Sequence, residues 1–196
     1  YHESGHALTA SVLPHADPVH KVSIIAHGPS TGGFTMKLPL EERRLQSKKE
    51  FLDDIAVALG GYAAEEMIFD DLTIGPAHDL QVATARARNM VARYGMSEAI
   101  GPLALEESNG QSFFGYPHSV KEYSERVAAE VDSEVAKMMR EALSRAREVL
   151  VGHRDALDGI AAYLVEHETI ERDDFENLLI AHGIVPKKST PGAVAV

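Results

Sequence analysis

The stretch YHESGHA, residues 1–7, predicts both the architecture and the chemistry of this chain of 196 residues. It contains the pattern H-E-x-x-H. On a helix, residues four apart lie about 40° apart around the axis, with Cβ atoms roughly 5–6 Å apart, so His2 and His6 can converge on one metal ion. Glu3 lies about 100° from His2 and about 60° from His6, where it can accept a proton from a water molecule that the metal activates. The alternative reading is a solvated helix end with two unrelated histidines.

A catalytic zinc usually has three protein ligands, and the residues leave two candidates for the third. One is Glu66, which forms an E-x-x-x-D pattern with Asp70. The other is Asp79, which opens a predicted helix after a glycine-containing loop and could equally be its N-cap. A third histidine at the metzincin spacing is absent, because Thr9 and Val12 occupy the positions of the glycine and the histidine.

Hydrophobic periodicity predicts a mainly α fold with a minor β component near the N-terminus. Gly5 leaves room for another segment to approach closely beside the two histidines, and the pair Gly60-Gly61 is predicted to be a packing notch against the helix of the motif. The helices are expected at 1–12, 41–70, 79–94, from a capping box of Ser119 and Glu122 to about 151, at 153–167 and at 171–182, and the strands at 20–26 and 32–38.

Composition narrows the class of protein. The formal net charge is −11, from 19 Lys and Arg against 30 Asp and Glu, which argues against nucleic acid as a partner. There is no cysteine, so disulfides and thiolate metal sites are excluded. No apolar run approaches the roughly 20 residues that span a bilayer, and we expect this piece to be soluble. Because the chain opens directly on the motif, we expect it to be an N-terminally truncated fragment of a longer protein.

Four stretches in a fixed order extend the motif into a family resemblance. They are YHESGHA (1–7), GGFTMKLP (32–39), LDDIAVALGGYAAEEMIF (52–69) and HDLQVATARARNMVARYGMSE (78–98). Together they resemble the peptidase domain of the FtsH family of membrane-bound AAA proteases. The resemblance implies a helical, zincin-like peptidase domain over residues 1–185, followed by a flexible C-terminal tail, 186–196.

The resemblance also implies the site and its partners. Asp79 becomes the third ligand of one Zn²⁺ per chain, beside His2 and His6, with Glu3 as the catalytic base. The strand with Gly33, Phe34, Thr35 and Met36 is expected to bind extended substrate by edge pairing. The family implies a homohexamer that degrades unfolded or misassembled polypeptides. It also implies an ATPase, and hence ATP, in the full-length protein only, and a membrane anchor upstream that leaves this domain on the cytoplasmic side or its organelle equivalent.

The chain departs from the family's usual pattern at its third-ligand loop. Thr73 to Asp79 reads TIGPAHD, where Pro76 stiffens the loop and His78 adds a potential ligand. Tyr62 stands where the family commonly has arginine. No G-x-x-x-x-G-K-[ST] phosphate loop occurs in the chain. The rival hypotheses are a catalytically inactive helical assembly module of the same fold and a metal hydrolase acting on small substrates.

Overall fold

The computed structural model describes residues 1–25, 33–37, 45–106 and 123–187. In this part of the chain the fold is mainly helical with a small sheet, as predicted. The helices are α1 (His2–Val12), α2 (Lys48–Ala58), α3 (Gly60–Phe69), α4 (Ala77–Ala92), α5 (Glu125–Gly152), α6 (Arg154–His167) and α7 (Arg172–Ala181). The strands are β1 (Val19–Ser23), β2 (Phe34–Lys37) and β3 (Thr169–Glu171). No helix of the described ranges is both long enough and apolar enough to cross a membrane.

The sheet has three antiparallel strands in the order β2-β1-β3. The two strands near the N-terminus were predicted, although β1 ends at Ser23 rather than at residue 26, which lies outside the described residues. The third strand, β3, was not predicted. It occupies the short connection between α6 and α7, where Ile170 is buried opposite Val22 of β1. A strand of three residues is too short to show an alternating pattern.

The single helix predicted at 41–70 is wrong in two respects. The helical segment starts at Lys48, because Ser47 and Glu50 form a capping box; residues 41–44 lie outside the described residues. It is also divided at Leu59 into α2 and α3. The division falls beside Gly60, a residue type that weakens a helix interior.

Two other predicted helix starts need correction. Helix α4 begins at Ala77, two residues earlier than predicted, with Pro76 as its N-cap residue, so Asp79 is not the N-cap. The long helix α5 begins at Glu125, where the side chain of Ser124 accepts a hydrogen bond from the backbone of Val127. The capping box predicted at Ser119 and Glu122 lies outside the described residues.

Helix α1 lies in the middle of the core, with all residues from Ser4 to Ser11 buried. It crosses α3 at the predicted glycine notch. A Cβ atom on Gly5 would lie 2.3 Å from the carbonyl oxygen of Gly60, and a Cβ atom on Gly60 would lie 2.6 Å from that of Gly5. Both glycines are therefore required for the two backbones to approach this closely. The crossing fixes α3 against the helix that carries the H-E-x-x-H motif.

The far end of α1 is held by Lys187. Its ammonium group donates hydrogen bonds to the backbone carbonyl oxygens of Ala10, Leu13 and Ala16, at 2.7, 2.5 and 2.5 Å. Ala10 and the C-cap residue Leu13 belong to the end of the helix, where carbonyl groups lack partners within it, and Ala16 lies in the turn that follows. For residues 188–196, which lie outside the described ranges, the flexible tail stays a prediction.

Candidate metal centre

Three side chains converge on one point between α1 and α4. The Nε2 atoms of His2 and His6 are 3.0 Å apart, and Oδ2 of Asp79 lies 3.2 Å from the first and 3.3 Å from the second. Ligand atoms at about 2.0–2.2 Å from a tetrahedral ion lie roughly 3.3 Å from one another. Among the described residues, this is the group of histidine and carboxylate side chains whose ligand atoms approach closely enough to share an ion. Two imidazoles and one carboxylate form a donor set that suits zinc.

The other nitrogen of each imidazole is already engaged. Nδ1 of His2 lies 2.8 Å from Oε1 of Glu65, and Nδ1 of His6 lies 2.7 Å from the carbonyl oxygen of Val57. Both partners are acceptors, so each ring donates a hydrogen bond from Nδ1, and Nε2 is the nitrogen left to face Asp79 or a metal ion. Such outer contacts fix the tautomer and orientation of metal-binding histidines. The two rings are therefore oriented as candidate ligands of one ion.

Glu65 is the main residue that the sequence analysis missed. Its side chain is buried, with Oε1 bonded to His2 and Oε2 accepting a hydrogen bond of 2.9 Å from Thr73. Thr73 also accepts a hydrogen bond from the backbone of Gly75, within the loop that leads to Asp79. A single buried carboxylate thus orients one candidate ligand and anchors the loop that delivers another.

Gly61 provides the space in which the two rings lie. A Cβ atom at this position would be 2.5 Å from Cε1 of His2 and 2.6 Å from Nε2 of His6. Any side chain here would occupy the place of the imidazoles. The predicted notch therefore has two parts, since Gly60 admits the backbone of α1 and Gly61 admits its histidines.

The alternative ligands lie away from this point. Glu66 forms a bidentate ion pair with Arg147 of α5, with both hydrogen bonds at 2.8 Å. Asp70 follows α3 in a left-handed conformation, with φ of 49°. His78 is exposed and is not a member of the converging group. Asp79, rather than Glu66, therefore lies beside the two histidines, and this geometry favours Asp79 over the E-x-x-x-D alternative.

The electrostatics favour an ionised Asp79. Burial alone would raise the pKa of Asp79, but hydrogen bonds from His2 and His6 hold it well below its ordinary value. Burial alone would lower the pKa of His2, yet its hydrogen bond to Asp79, the charge of Glu3 and the hydrogen bond to Glu65 raise it above the ordinary value. In the metal-free protein these groups form a charge-paired cluster, and a metal ion would replace the proton that the cluster shares.

The side chain of Glu3 faces strand β2 rather than the loop that leads to Asp79. Its Oε2 atom accepts a hydrogen bond of 2.9 Å from the hydroxyl group of Thr35 in β2. A Cβ atom on Gly33 would lie 2.9 Å from Cγ of Glu3, so the glutamate side chain passes directly over this glycine. Phe34 and Met36 alternate with Thr35 along the strand, and Met36 is exposed. The four predicted substrate residues therefore lie beside Glu3, at one edge of the sheet.

A family model and the similar proteins of known name indicate the same family for this chain. The sequence profile of peptidase family M41 matches residues 1–178. An "ATP-dependent zinc metalloprotease FtsH 3" of Petrotoga mobilis is 46% identical over 180 residues, which are 91% of this chain and 28% of that protein. For the "ATP-dependent zinc metalloprotease FtsH" of Thermotoga maritima the identity is 44% over 180 residues, covering 91% of this chain and 30% of the relative. The "ATP-dependent zinc metalloprotease FtsH" of Rubrobacter xylanophilus is 40% identical over 185 residues, which are 94% of this chain and 28% of that protein. The chain spans less than a third of the length of these curated relatives.

Proposed function

Since the chain belongs to peptidase family M41, we propose that it is a zinc metalloendopeptidase domain in which His2, His6 and Asp79 hold one Zn²⁺. The observation that carries the proposal is the triangle of Nε2, Nε2 and Oδ2, with sides of 3.0–3.3 Å. Both Nδ1 atoms are engaged elsewhere, so the two Nε2 lone pairs remain for an ion. The name "zinc metalloprotease" of the relatives supports zinc over other divalent metals.

Glu3 is the proposed general base. Zinc, when bound, would act as a Lewis acid that polarises a carbonyl group and lowers the pKa of a water molecule to near neutral. Glu3 follows His2 in the helix, and its carboxylate is held by Thr35 at Oε2. Among the described residues no donor contacts Oε1, which can take a proton from the attacking water and return it to the leaving amine. His2 and His6 are left with their Nδ1 protons and take no part in this transfer.

Strand β2 is the proposed binding site for the substrate, through Gly33, Phe34, Thr35 and Met36. The sheet order puts β2 at an edge, with β1 as its strand partner in the described part of the chain. An edge strand binds an extended peptide through backbone hydrogen bonds. A folded protein offers such a segment only after local opening, so this geometry favours unfolded polypeptides and argues against small substrates.

We also propose the setting of the domain in a longer protein. The relatives named "ATP-dependent" support coupling to an ATPase, with ATP used by the full-length protein only. A homohexamer, a membrane anchor outside these residues and a cytoplasmic (or equivalent) position for the domain follow from the same family. An inactive assembly module finds no support in the site, because the candidate base and all three candidate ligands are in position.

The test measures zinc content and casein cleavage in the purified chain. We expect about one zinc per chain, activity that is lost with a chelator and activity that returns when zinc is added. Glu3→Gln should retain zinc and lose cleavage, because an amide cannot accept the proton. Glu98→Gln changes an exposed glutamate 3.5 Å from Lys48 and serves as the matched control. A folded protein without zinc, or full cleavage by Glu3→Gln, would contradict the proposal.

A further inference from the structure

We infer that Thr35 is a positioning residue for the proposed base: its hydroxyl group holds the carboxylate of Glu3 in the orientation used for proton transfer. The inference rests on the proposed function and adds a role for one residue of the substrate strand. Nothing in the H-E-x-x-H pattern points to it, because Thr35 is 32 positions away from Glu3 in the sequence.

The contact is specific in direction and in atoms. The Thr35 hydroxyl group lies 2.9 Å from Oε2 of Glu3 and 3.2 Å from the backbone oxygen of the same residue. A hydroxyl group has one proton, so the shorter contact to the carboxylate is the hydrogen bond that it donates. A hydrogen bond to an ionised acceptor is among the stronger ones available to a neutral side chain.

Strand β2 can hold Thr35 in this place because the backbone of β2 is hydrogen-bonded to the neighbouring strand β1. Thr35 pairs with Val22 of β1, which is buried. Side chains alternate along a strand, so Thr35 faces α1 while Phe34 and Met36 face the opposite way. Gly33 completes the arrangement, since a side chain there would collide with the Cγ atom of Glu3.

The consequence for the reaction is preorganisation. A glutamate has three side-chain torsions and loses rotamer freedom when its carboxylate must occupy one position. The hydrogen bond from Thr35 restricts that freedom before a substrate arrives and leaves the other oxygen of Glu3 for the water. Because Thr35 belongs to the strand proposed to pair with substrate, a shift of β2 would move the base as well. Binding and base orientation are thereby linked through one side chain.

The experiment compares Thr35→Val, which keeps the shape but removes the hydroxyl group, with Thr35→Ser, which keeps the hydroxyl group. For cleavage of a fluorogenic peptide by the zinc-loaded chain, Thr35→Val should lower kcat about tenfold or more and change KM by about twofold at most. Thr35→Ser should recover kcat to within about threefold of the parent. Zinc content should be unchanged in both. Thr169→Val, which removes a hydroxyl group from β3 of the same sheet, should leave kcat within about twofold.

A second measurement needs no activity. In the metal-free chain, Thr35→Val should lower the unfolding temperature by about 3 °C when Glu3 is present and by less than about 1 °C in a Glu3→Ala background. Equal effects in the two backgrounds would overturn the inference, because the two side chains would then be uncoupled. A rise in KM with unchanged kcat would also overturn it, since Thr35 would then act only through the strand. If Glu3→Gln itself stays active, the proposed function fails; if Glu3→Gln is inactive while Thr35→Val is fully active, only this inference fails.

Discussion

The substitution Gly61→Ala should separate metal binding from folding. The new methyl group would lie 2.5 Å from Cε1 of His2 and 2.6 Å from Nε2 of His6, whereas ordinary contacts of a Cβ atom are 3.4–4 Å. The ring atoms would have to retreat by about 0.9 Å to reach that range. Zinc sites tolerate ligand distances within about 0.2 Å of the ideal values, so a displacement of this size removes at least one nitrogen from the ion.

Two magnitudes follow from this geometry. Changes in groups that only orient a ligand cost about 10–100-fold in metal affinity, so a direct displacement of both rings should raise the Kd for zinc at least about 100-fold. The stability of the metal-free protein should change far less. Alanine favours the helix over glycine by about 0.5–1 kcal/mol, and this gain offsets most of the about 1 kcal/mol lost if the hydrogen bond between His2 and Glu65 is broken.

The assay is a zinc competition titration with a chromogenic chelator, together with thermal unfolding of the metal-free chain. Gly152→Ala is the matched control, because it also replaces a helical glycine and its Cβ atom would have no neighbour within 4 Å. It should leave the Kd for zinc unchanged. The reasoning is refuted if Gly61→Ala binds zinc within about threefold of the parent, or if it loses zinc only because the metal-free chain no longer folds.

Three further predictions concern the groups around the site. Glu65→Gln should lower zinc affinity about 10–100-fold, measured by the same titration, because an amide orients His2 less strongly than a carboxylate. Asp79→Ala should remove most of the bound zinc in elemental analysis, whereas Glu66→Ala should retain it; the opposite result would restore the E-x-x-x-D alternative. Lys187→Met should lower the unfolding temperature by about 3–6 °C, because carbonyl groups at the end of α1 lose a charged donor worth about 1–2 kcal/mol. Lys48→Met, which removes a lysine from an exposed ion pair, should change the unfolding temperature by less than about 2 °C. If both substitutions lower the unfolding temperature equally, the contacts of Lys187 with α1 contribute no particular stability.

Local patterns predicted the parts of the fold that depend on local geometry. The H-E-x-x-H spacing predicted that His2 and His6 lie side by side, because one turn of helix brings them together, and their Nε2 atoms are 3.0 Å apart. Element boundaries were less accurate: Ser47 caps a helix that apolar periodicity would begin earlier, and α5 begins after Ser124 rather than at the capping box predicted from Ser119. Strand β3 was missed because its pairing with β1 joins segments about 150 residues apart, and nothing in three residues indicates such a partner.

The position of Asp79 required more than a local pattern. From the residues alone, Asp79 and Glu66 were equivalent candidates, and only the family resemblance favoured Asp79. The geometry that separates them is long-range: α4 brings Asp79 to α1, while the phase of α3 turns Glu66 towards Arg147. An N-cap reading of Asp79 failed for a simpler reason, since Pro76 already occupies that position.

The signal for Glu65 was nevertheless present in the sequence. The glycine pair was recognised as a notch against the helix of the motif, and residues four apart share one face of a helix. Glu65 follows Gly61 by four positions, so the face that admits the two imidazoles must also carry Glu65. Glu66 is rotated from that face by about 100°. The notch therefore sets the phase of α3: it places the buried Glu65 beside His2 and turns Glu66 to a different surface, where Glu66 meets Arg147. A glycine that makes room for a ligand thus also indicates, one helical turn later, the residue that orients it.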